Sequence, residues 1–244
     1  MPAPDPARTG DVGEVAARLA AVRQGIADAC ARSGRRPEEV VLVGASKVQP
    51  IAVLRAAWEA GLRVFGENRV QEAAAKRSEL PADIDWHLIG PLQSNKVRQA
   101  LDLFSTIHSI DRPKIAQAVD REAAERGCRL DGFLEINLGG EGSKHGFPLD
   151  GLAEAVAPLA ALANLRIVGL MAIPPQGDDA EASRPWFRRL RELRDELAAR
   201  PEWRGFPGRL SRGMSGDYAV AVEEGATHVR VGTALFGRRV RPPA

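Results

Sequence analysis

The chain has few cysteines and no excess of charge of either sign, and each shortage removes a class of protein. Only two cysteines, Cys30 and Cys128, occur in 244 residues, and neither has a partner at metal-ligand spacing. This usage is typical of packing residues in a reduced, cytoplasmic compartment. Lys plus Arg number 34 against 32 for Asp plus Glu, and a net charge of +2 gives no electrostatic footprint for nucleic acid or an anionic membrane.

Long hydrophobic runs are also absent. No apolar stretch approaches the roughly 20 residues of a membrane span. Residues 1–10 are rich in Pro and Ala and lack the apolar centre of a signal peptide, so we expect a flexible tail on a protein that stays in the cytoplasm. Residues 11–244, with no linker or shift in composition, are predicted to form a single domain.

Short apolar runs alternate with helical patterns along the whole chain. The strand-like runs are residues 40–46, 63–68, 85–90, 104–110, 132–138, 166–173, 209–215 and 228–235. A further helix precedes the first run, with Val15, Leu19, Val22 and Ile26 on one face. Eight strands that alternate with helices in a chain of this length predict a closed (β/α)₈ barrel, the TIM barrel, of parallel strands.

The carboxyl ends of the eight strands meet at one mouth of such a barrel, where chemistry collects. The residues predicted there are Lys47, Glu67, Asn68, His87, His108, Ser109, Asn137, Met171, Met214, Ser215, Gly232 and Thr233. This set lacks the facing carboxylates of a glycosidase and the clustered ligands of a metal site, so we expect neither chemistry.

Lys47 is the most informative residue of the mouth. It follows the apolar run 40–46, where strand gives way to loop. A lysine partly removed from water loses proton affinity and becomes a nucleophile towards carbonyls. The alternative is a strand-end lysine in a salt bridge.

The loops after the last two strands predict a phosphate site. The segment 213–217 is rich in small residues and opens a helix, and Gly232 and Thr233 end the next strand. Such loops expose backbone N–H groups and the positive end of a helix to an anion. If Lys47 and both loops serve one ligand, that ligand carries a carbonyl and a phosphate.

Arg230 supplies a third element of the predicted site. Strand alternation places it on the same side as Gly232, pointing into the barrel. A buried guanidinium needs a partner, which is either an acid such as Glu67 or a ring nitrogen. An amine, a phosphate cradle and an arginine facing a ring nitrogen together describe pyridoxal 5'-phosphate bound as a Schiff base.

The chain also resembles a known family, the small pyridoxal-phosphate-binding proteins of vitamin B6 homeostasis called YggS or PROSC. The similar blocks are residues 43–47, 65–72, 86–96, 169–174, 211–217 and 229–237. The resemblance implies Lys47 as the Schiff-base lysine, Asn68 near the cofactor and Arg230 at the pyridine nitrogen. It also implies a phosphate held by Ser215, Gly232 and Thr233, with Met214 beside them. Arg212 departs from the family's more usual apolar residue and raises the question of polarity beside the phosphate.

The fold resembles the N-terminal barrel of alanine racemases, fold type III of the pyridoxal-phosphate proteins, and this supplies the rival function. A racemase-like enzyme needs a base on each face of the substrate, and the only tyrosine, Tyr218, lies in a helix. An arginine at the ring nitrogen weakens the cofactor as an electron sink. We therefore expect a non-catalytic, monomeric carrier of pyridoxal phosphate with apo-enzymes as acceptors, and at most a weak racemase-like side activity.

The glycine-rich segment 139–146 follows the fifth predicted strand and contains one lysine, Lys144. Glycine removes restraints on the backbone, so the segment is predicted to form a mobile loop at the mouth. Two hypotheses remain for Lys144: a solvated surface lysine, or a second amine that helps the cofactor to leave.

Overall fold

The computed structural model describes residues 12–140, 145–175, 177 and 179–237. Its strands are β1 (Val41–Ala45), β2 (Val64–Glu67), β3 (Asp85–Leu88), β4 (Thr106–Ile110), β5 (Leu130–Asn137), β6 (Phe147–Pro148), β7 (Leu165–Met171), β8 (Arg209–Ser211) and β9 (His228–Val231). Eight of them pair in parallel around a closed ring, because β9 pairs with β1 and β4 pairs with β5. The two-residue β6 pairs only with the end of β5. The predicted (β/α)₈ barrel and its eight strand runs are confirmed; most strands are shorter than the runs, while β5 and β7 begin earlier than predicted.

Helices surround the barrel. They are α1 (Val12–Arg32), α2 (Ile51–Glu59), α3 (Val70–Arg77), α4 (Val97–Leu101), α5 (Pro113–Glu125), α6 (Leu152–Val156), α7 (Arg184–Ala198), α8 (Tyr218–Glu223) and α9 (Thr233–Phe236). The predicted apolar face of α1 is buried, and α1 packs against α2, α8 and α9. None of the helices in the described ranges is long and apolar enough to cross a membrane.

The core lies mainly between the strands and the helices. One large cluster of buried apolar side chains fills this layer, while Phe133, Val168 and Met171 form a small separate cluster. Phe133 stacks on His108 at 4.5 Å and meets the edge of His228 at 5.0 Å between ring centroids. Two histidines thus pack on Phe133 inside the barrel, where branched aliphatic side chains are the rule.

Candidate functional site

The residues predicted to bind a cofactor line one cavity at the carboxyl ends of the strands, whereas Glu67, His87, His108, Ser109, Asn137 and Met171, also predicted at the mouth, do not line it. The cavity has a volume of about 280 Å³. Its lining is Ala45, Lys47, Gln49, Asn68, Ile89, Ile173, Met214, Ser215, Gly216, Arg230, Gly232, Thr233 and Gly237. All seven residues that sequence reasoning assigned to a cofactor are among them. Within the described residues, Lys47 is the only lysine in this lining.

A strained backbone carries Lys47 into the cavity. The next residue, Val48, has φ of 63°, a left-handed conformation that a β-branched residue seldom adopts. Three contacts of Lys76 hold this turn from the side of α3: its Nζ donates to the Ser46 carbonyl at 2.8 Å and to Glu67 and Glu72 at 2.7 Å each. Glu72 also accepts the Val48 N–H. The turn that aims Lys47 is thus fixed from outside the barrel.

Glu67 does not face the mouth, although the sequence placed it there as a possible partner of Arg230. Its neighbour Gly66 occupies the inner face of β2, and alternation turns Glu67 outward to Lys76 and to Ser46 Oγ, at 2.6 Å. Burial raises the pKa of Glu67, against the lowering effect of its hydrogen bonds from Lys76 and Ser46. Glu67 therefore belongs to the support of the Lys47 turn.

Asn68 reaches the cavity because Gly90 lets the next strand approach closely. A Cβ at Gly90 would stand 2.5 Å from the Asn68 carbonyl oxygen and 2.7 Å from its Cα, distances that real Cβ atoms essentially never show. Only glycine fits against this backbone. The side chain at position 68 is placed by a residue 22 positions away along the sequence.

Two backbone amides and a hydroxyl form a cradle beside Met214. Ser215 Oγ accepts the N–H of Gly232 at 3.2 Å and the N–H of Ala234 at 3.1 Å. Sequence reasoning expected the N–H groups of the helix after position 217, but Asp217 N and Tyr218 N donate to the Met214 carbonyl. The amides aimed at Ser215 thus belong to the start of α9, and Ala234 was missed.

Arg230 is buried and points into the barrel as alternation predicted. Its Nη1 donates to Ser211 Oγ at 2.7 Å and its Nη2 to the Ala172 carbonyl at 3.2 Å. Burial lowers its pKa to about 10, against the opposing attraction of Glu135 and Asp217, so the guanidinium keeps its charge at neutral pH. Neither Ser211 nor Glu135 was predicted at the site, although alternation in their strands carries the signal.

Arg212 lies outside the barrel and away from the cradle. Its guanidinium donates to the carbonyls of Phe187 and Glu224 and stands 5.4 Å from the centroid of the Phe187 ring. Burial lowers its pKa to about 9. The question of polarity beside the phosphate is therefore answered: Arg212 packs between α7 and α8.

Tyr218 also faces away from the cavity. Its hydroxyl packs so closely on α1 that a Cβ at Gly25 would meet the phenol oxygen at 2.3 Å. Burial raises the pKa of the phenol. The chain's one tyrosine thus makes a contact between α8 and α1 and is not part of the described lining of the cavity.

Two more cavities flank the first and share Ile173 with it. One, of about 540 Å³, is bordered by Asp179 and Asp217; the other, of about 270 Å³, is bordered by Glu135, Asn137 and His145. Burial raises the pKa of Glu135, and repulsion from Asp111 adds to the effect. Lys144, which the sequence singled out in the neighbouring loop, lies outside the described residues.

Comparisons with known proteins give the site its context. The family model described as alanine racemase, N-terminal domain, matches residues 18–240. A protein of Aquifex aeolicus named pyridoxal phosphate homeostasis protein is 44% identical over 223 residues, which cover 91% of this chain and 97% of that protein. An Escherichia coli protein of the same name is 39% identical over 232 residues, 93% of this chain and 98% of its own.

Solved structures are similar over the same region. PipY of Synechococcus elongatus PCC7942, solved with PLP bound, has a TM-score of 0.79 and 40% identity over 91% of this chain and 100% of its own. An alanine racemase of Clostridium difficile 630 has a TM-score of 0.70 at 14% identity and is spanned by this chain over 56% of its length. The second likeness shows the shared barrel alone.

Proposed function

Since this chain belongs to the family of pyridoxal phosphate homeostasis proteins, we propose that it binds pyridoxal 5'-phosphate in the Lys47 cavity and holds it as a Schiff base on that lysine. One observation carries the proposal: an amine, an anion cradle and a buried guanidinium line a single cavity of matching chemistry. When bound, the cofactor supplies an aldehyde that forms an exchangeable imine with a primary amine.

The lining fits the cofactor group by group. Lys47 offers the primary amine, and the outer clamp of Lys76 keeps its turn in place. Ser215 Oγ accepts the N–H groups of Gly232 and Ala234, which leaves its own proton to donate to a phosphate oxygen beside the start of α9. Arg230 can only donate, so the ring atom that it faces is an acceptor, an unprotonated pyridine nitrogen.

We propose that the bound cofactor is carried and is not used for catalysis. Racemisation needs a base on each face of the substrate, and the one tyrosine packs on α1, away from the cavity. A charged Arg230 at the ring nitrogen keeps that nitrogen unprotonated and weakens electron withdrawal by the ring. Both features support a role in intracellular vitamin B6 homeostasis.

The proposed partners are apo-enzymes that accept the cofactor, and the proposed working unit is a monomer. Support for the monomer comes from the cavity, since Lys47, Ser215 and Arg230 of the same chain meet in it. Support for transfer comes from the mouth, because Val48 and Met214 stand exposed there beside the cofactor residues. An acceptor protein can reach this end of the barrel without unfolding it.

Borohydride trapping tests the site. The purified protein, loaded with pyridoxal phosphate, is expected to show visible absorption that borohydride removes while fixing a pyridoxyl group to the peptide of Lys47. Lys47→Ala is expected to lose both signals, because no other described lysine lines the cavity. Lys114→Ala, an exposed lysine at the start of α5, serves as the matched control. A label found chiefly on another lysine would contradict the assignment.

Turnover separates the carrier from the racemase-like alternative. The loaded protein is mixed with L-alanine and other free amino acids, and chiral chromatography follows the D-isomer. We expect no conversion above the rate given by free pyridoxal phosphate. Sustained racemisation that disappears in Lys47→Ala would replace the carrier function with an enzymatic one.

A further inference from the structure

A continuous line of hydrogen bonds runs through the barrel beneath the cavity. Arg230 Nη1 is 2.7 Å from Ser211 Oγ, which is 2.7 Å from His108 Nδ1. His108 Nε2 is 2.9 Å from His87 Nδ1, and His87 Nε2 is 3.2 Å from Asp85 Oδ2. The line begins at the cofactor cavity and ends at the opposite, amino-terminal end of the strands, where the Asp85 side chain is 46% exposed.

The donor and the acceptor of each hydrogen bond in this line follow from the chemistry of its buried residues, beginning with Arg230 and Ser211. Arg230 can only donate, so it occupies a lone pair of Ser211 Oγ. Ser211 is fully buried, and His108 is its one other side-chain partner among the described residues. A buried hydroxyl keeps its proton hydrogen-bonded, so Ser211 donates to His108 Nδ1.

The histidine tautomers are then fixed in turn. Because His108 accepts at Nδ1, its proton is on Nε2 and is donated to His87 Nδ1. His87 accepts there, so its own proton is on Nε2 and is donated to the Asp85 carboxylate. Both imidazoles are neutral, and four bonds point the same way, from the guanidinium to the carboxylate.

We propose that Ser211, His108, His87 and Asp85 are positioning residues that orient the Arg230 guanidinium through this directed line. A carboxylate at the far end polarises each bond in the same sense, which strengthens the bond that Arg230 makes. The link to cofactor binding rests on the proposed function; the orientation of Arg230 does not.

The charge environment agrees with a neutral His108. Burial lowers the pKa of His108 well below its ordinary value, and the positive charge of Arg230 acts in the same direction. Burial alone would raise the pKa of the Asp85 carboxyl. Hydrogen bonds from His87 and Ser105 lower the pKa by more, so it lies below its ordinary value and the carboxyl is ionised. The line thus has one cation, one anion and neutral groups between them.

His228 provides a matched control inside the same barrel. It is buried like His108 and packs on the same Phe133 ring, yet its Nδ1 contacts Thr227 Oγ1 and takes no part in the line. Its ring also lies 5.7 Å from that of His108 between centroids, so a substitution of His228 disturbs the packing around the line but removes none of the hydrogen bonds in it.

The first test uses the protein without cofactor. Long-range ¹H–¹⁵N spectra are expected to show His87 and His108 as neutral imidazoles with the proton on Nε2, and the Arg230 guanidinium as restricted in rotation. Asp85→Ala removes the last acceptor, so the His87 tautomers should then mix. A proton on Nδ1 of His108, or a freely rotating Arg230, would overturn the proposal.

Two amides at position 108 separate orientation from packing. In His108→Asn the side-chain oxygen takes the place of Nδ1 and still accepts from Ser211, whereas His108→Gln keeps a donor near Nε2 and loses that acceptor. Positioning predicts faster Arg230 rotation in the Gln variant than in the Asn variant. A packing role predicts the reverse order, because Gln fills more of the space, and that order would refute the proposal.

Cofactor binding adds a second readout. Ser211→Ala leaves an Arg230 donor without its acceptor, so the affinity for pyridoxal phosphate should fall about tenfold or more. The ¹⁵N shift of the labelled pyridine nitrogen should move with it, while His228→Gln changes neither. Unchanged affinity and shift in Ser211→Ala would count against positioning. Failure of the wild type to bind the cofactor would count against the proposed function alone, since the Arg230 spectra are recorded without it.

Discussion

At the scale of single residues, the strain beside Lys47 is concentrated in Val48. Its left-handed φ of 63° costs a β-branched residue about 1–2 kcal/mol. The side chain is 70% exposed, so it gains little from packing in return. The clamp from Lys76 and Glu72 maintains this conformation.

Replacing Val48 should therefore stabilise the protein. Asn tolerates the left-handed region, so Val48→Asn is expected to raise the free energy of unfolding by about 1 kcal/mol in urea denaturation. Val48→Thr introduces polarity but keeps the branched Cβ, and we expect it to gain nothing. Equal stabilities for the two variants would show that strain is not the cause.

Glu135 is the second residue whose placement opposes stability. Burial, helped by Asp111, raises its folded-state pKa against the weaker attraction of His145 and Arg230. Below the ordinary pKa the carboxyl is protonated in both states and carries no penalty. As pH rises through the raised folded pKa, ionisation becomes less favourable in the folded state than in the unfolded state, and stability is lost.

Glu135→Gln should accordingly raise the melting temperature at about pH 8 and have much less effect at about pH 4. Circular dichroism at the two pH values measures the difference. Glu79→Gln makes the same chemical change at an exposed position and should leave the pH dependence unaltered. A gain at Glu135 that is equal at both pH values would point to packing instead of charge.

At the scale of helices and strands, the packing of α1 on α8 involves a close contact between Gly25 and Tyr218. Gly25 lies in the interior of α1, where alanine is normally better by up to about 1 kcal/mol. Here a Cβ would stand 2.3 Å from the Tyr218 hydroxyl oxygen and 3.1 Å from the ring carbon that bears it. The close approach of two helices therefore outweighs helix propensity.

We expect Gly25→Ala to lower the free energy of unfolding by about 1–3 kcal/mol, as overpacked contacts do. In a Tyr218→Phe background the nearest atom is gone, and the cost should shrink by more than half. Urea denaturation of the four proteins of this double-mutant cycle gives the coupling directly. Additive effects would mean that the helices adjust independently of this contact.

A second contact between elements involves the arginines of α7. Arg184, Arg188 and Arg191 all reach the carboxylate of Glu224, whose carbonyl also accepts from the buried Arg212. The charged residues of α7 thus include a stripe directed at α8. The apolar face of α7 buries Phe187, Leu190, Leu193 and Leu197 against the barrel.

At the scale of the whole molecule, buried neutral histidines set the response to acid. Burial lowers the pKa of His228 to about 3, and the pKa of His108 is also well below its ordinary value. Between about pH 3 and 6.5 the unfolded chain binds a proton at position 228 that the folded chain does not, and the lowered pKa of His108 acts in the same direction. Stability must fall as the pH drops through this window.

Each such histidine contributes a slope of about 1.4 kcal/mol per pH unit to the free energy of unfolding. His228→Gln should reduce the slope measured near pH 5 by about one proton, which urea denaturation at several pH values can resolve. Carboxylates that titrate in the same pH range contribute equally to the slopes of both proteins, so their contribution cancels in the comparison with wild type. An unchanged slope would mean that His228 titrates normally in the folded protein.

The sequence by itself determined the elements and the end of the barrel at which the site lies. Alternation of apolar runs with helical patterns predicted eight strands and the buried face of α1, because burial imposes those periods locally. Lys47, Asn68 and Ser215 were placed at the mouth by the same reasoning, since the carboxyl ends of parallel strands meet there. Arg230 followed from the two-residue period of its strand.

Only the tertiary structure decided which groups meet. Glu67 turns outward to Lys76, Arg212 packs between α7 and α8, and the amides at the cradle belong to α9. Alternation assigns a side chain to the inner or the outer face of a strand only when the ends of that strand are known. The strands of the structure have different ends from the apolar runs in the sequence. The line from Arg230 to Asp85 joins four strands, and such contacts arise because ring closure sets the strand registers, which no local pattern encodes.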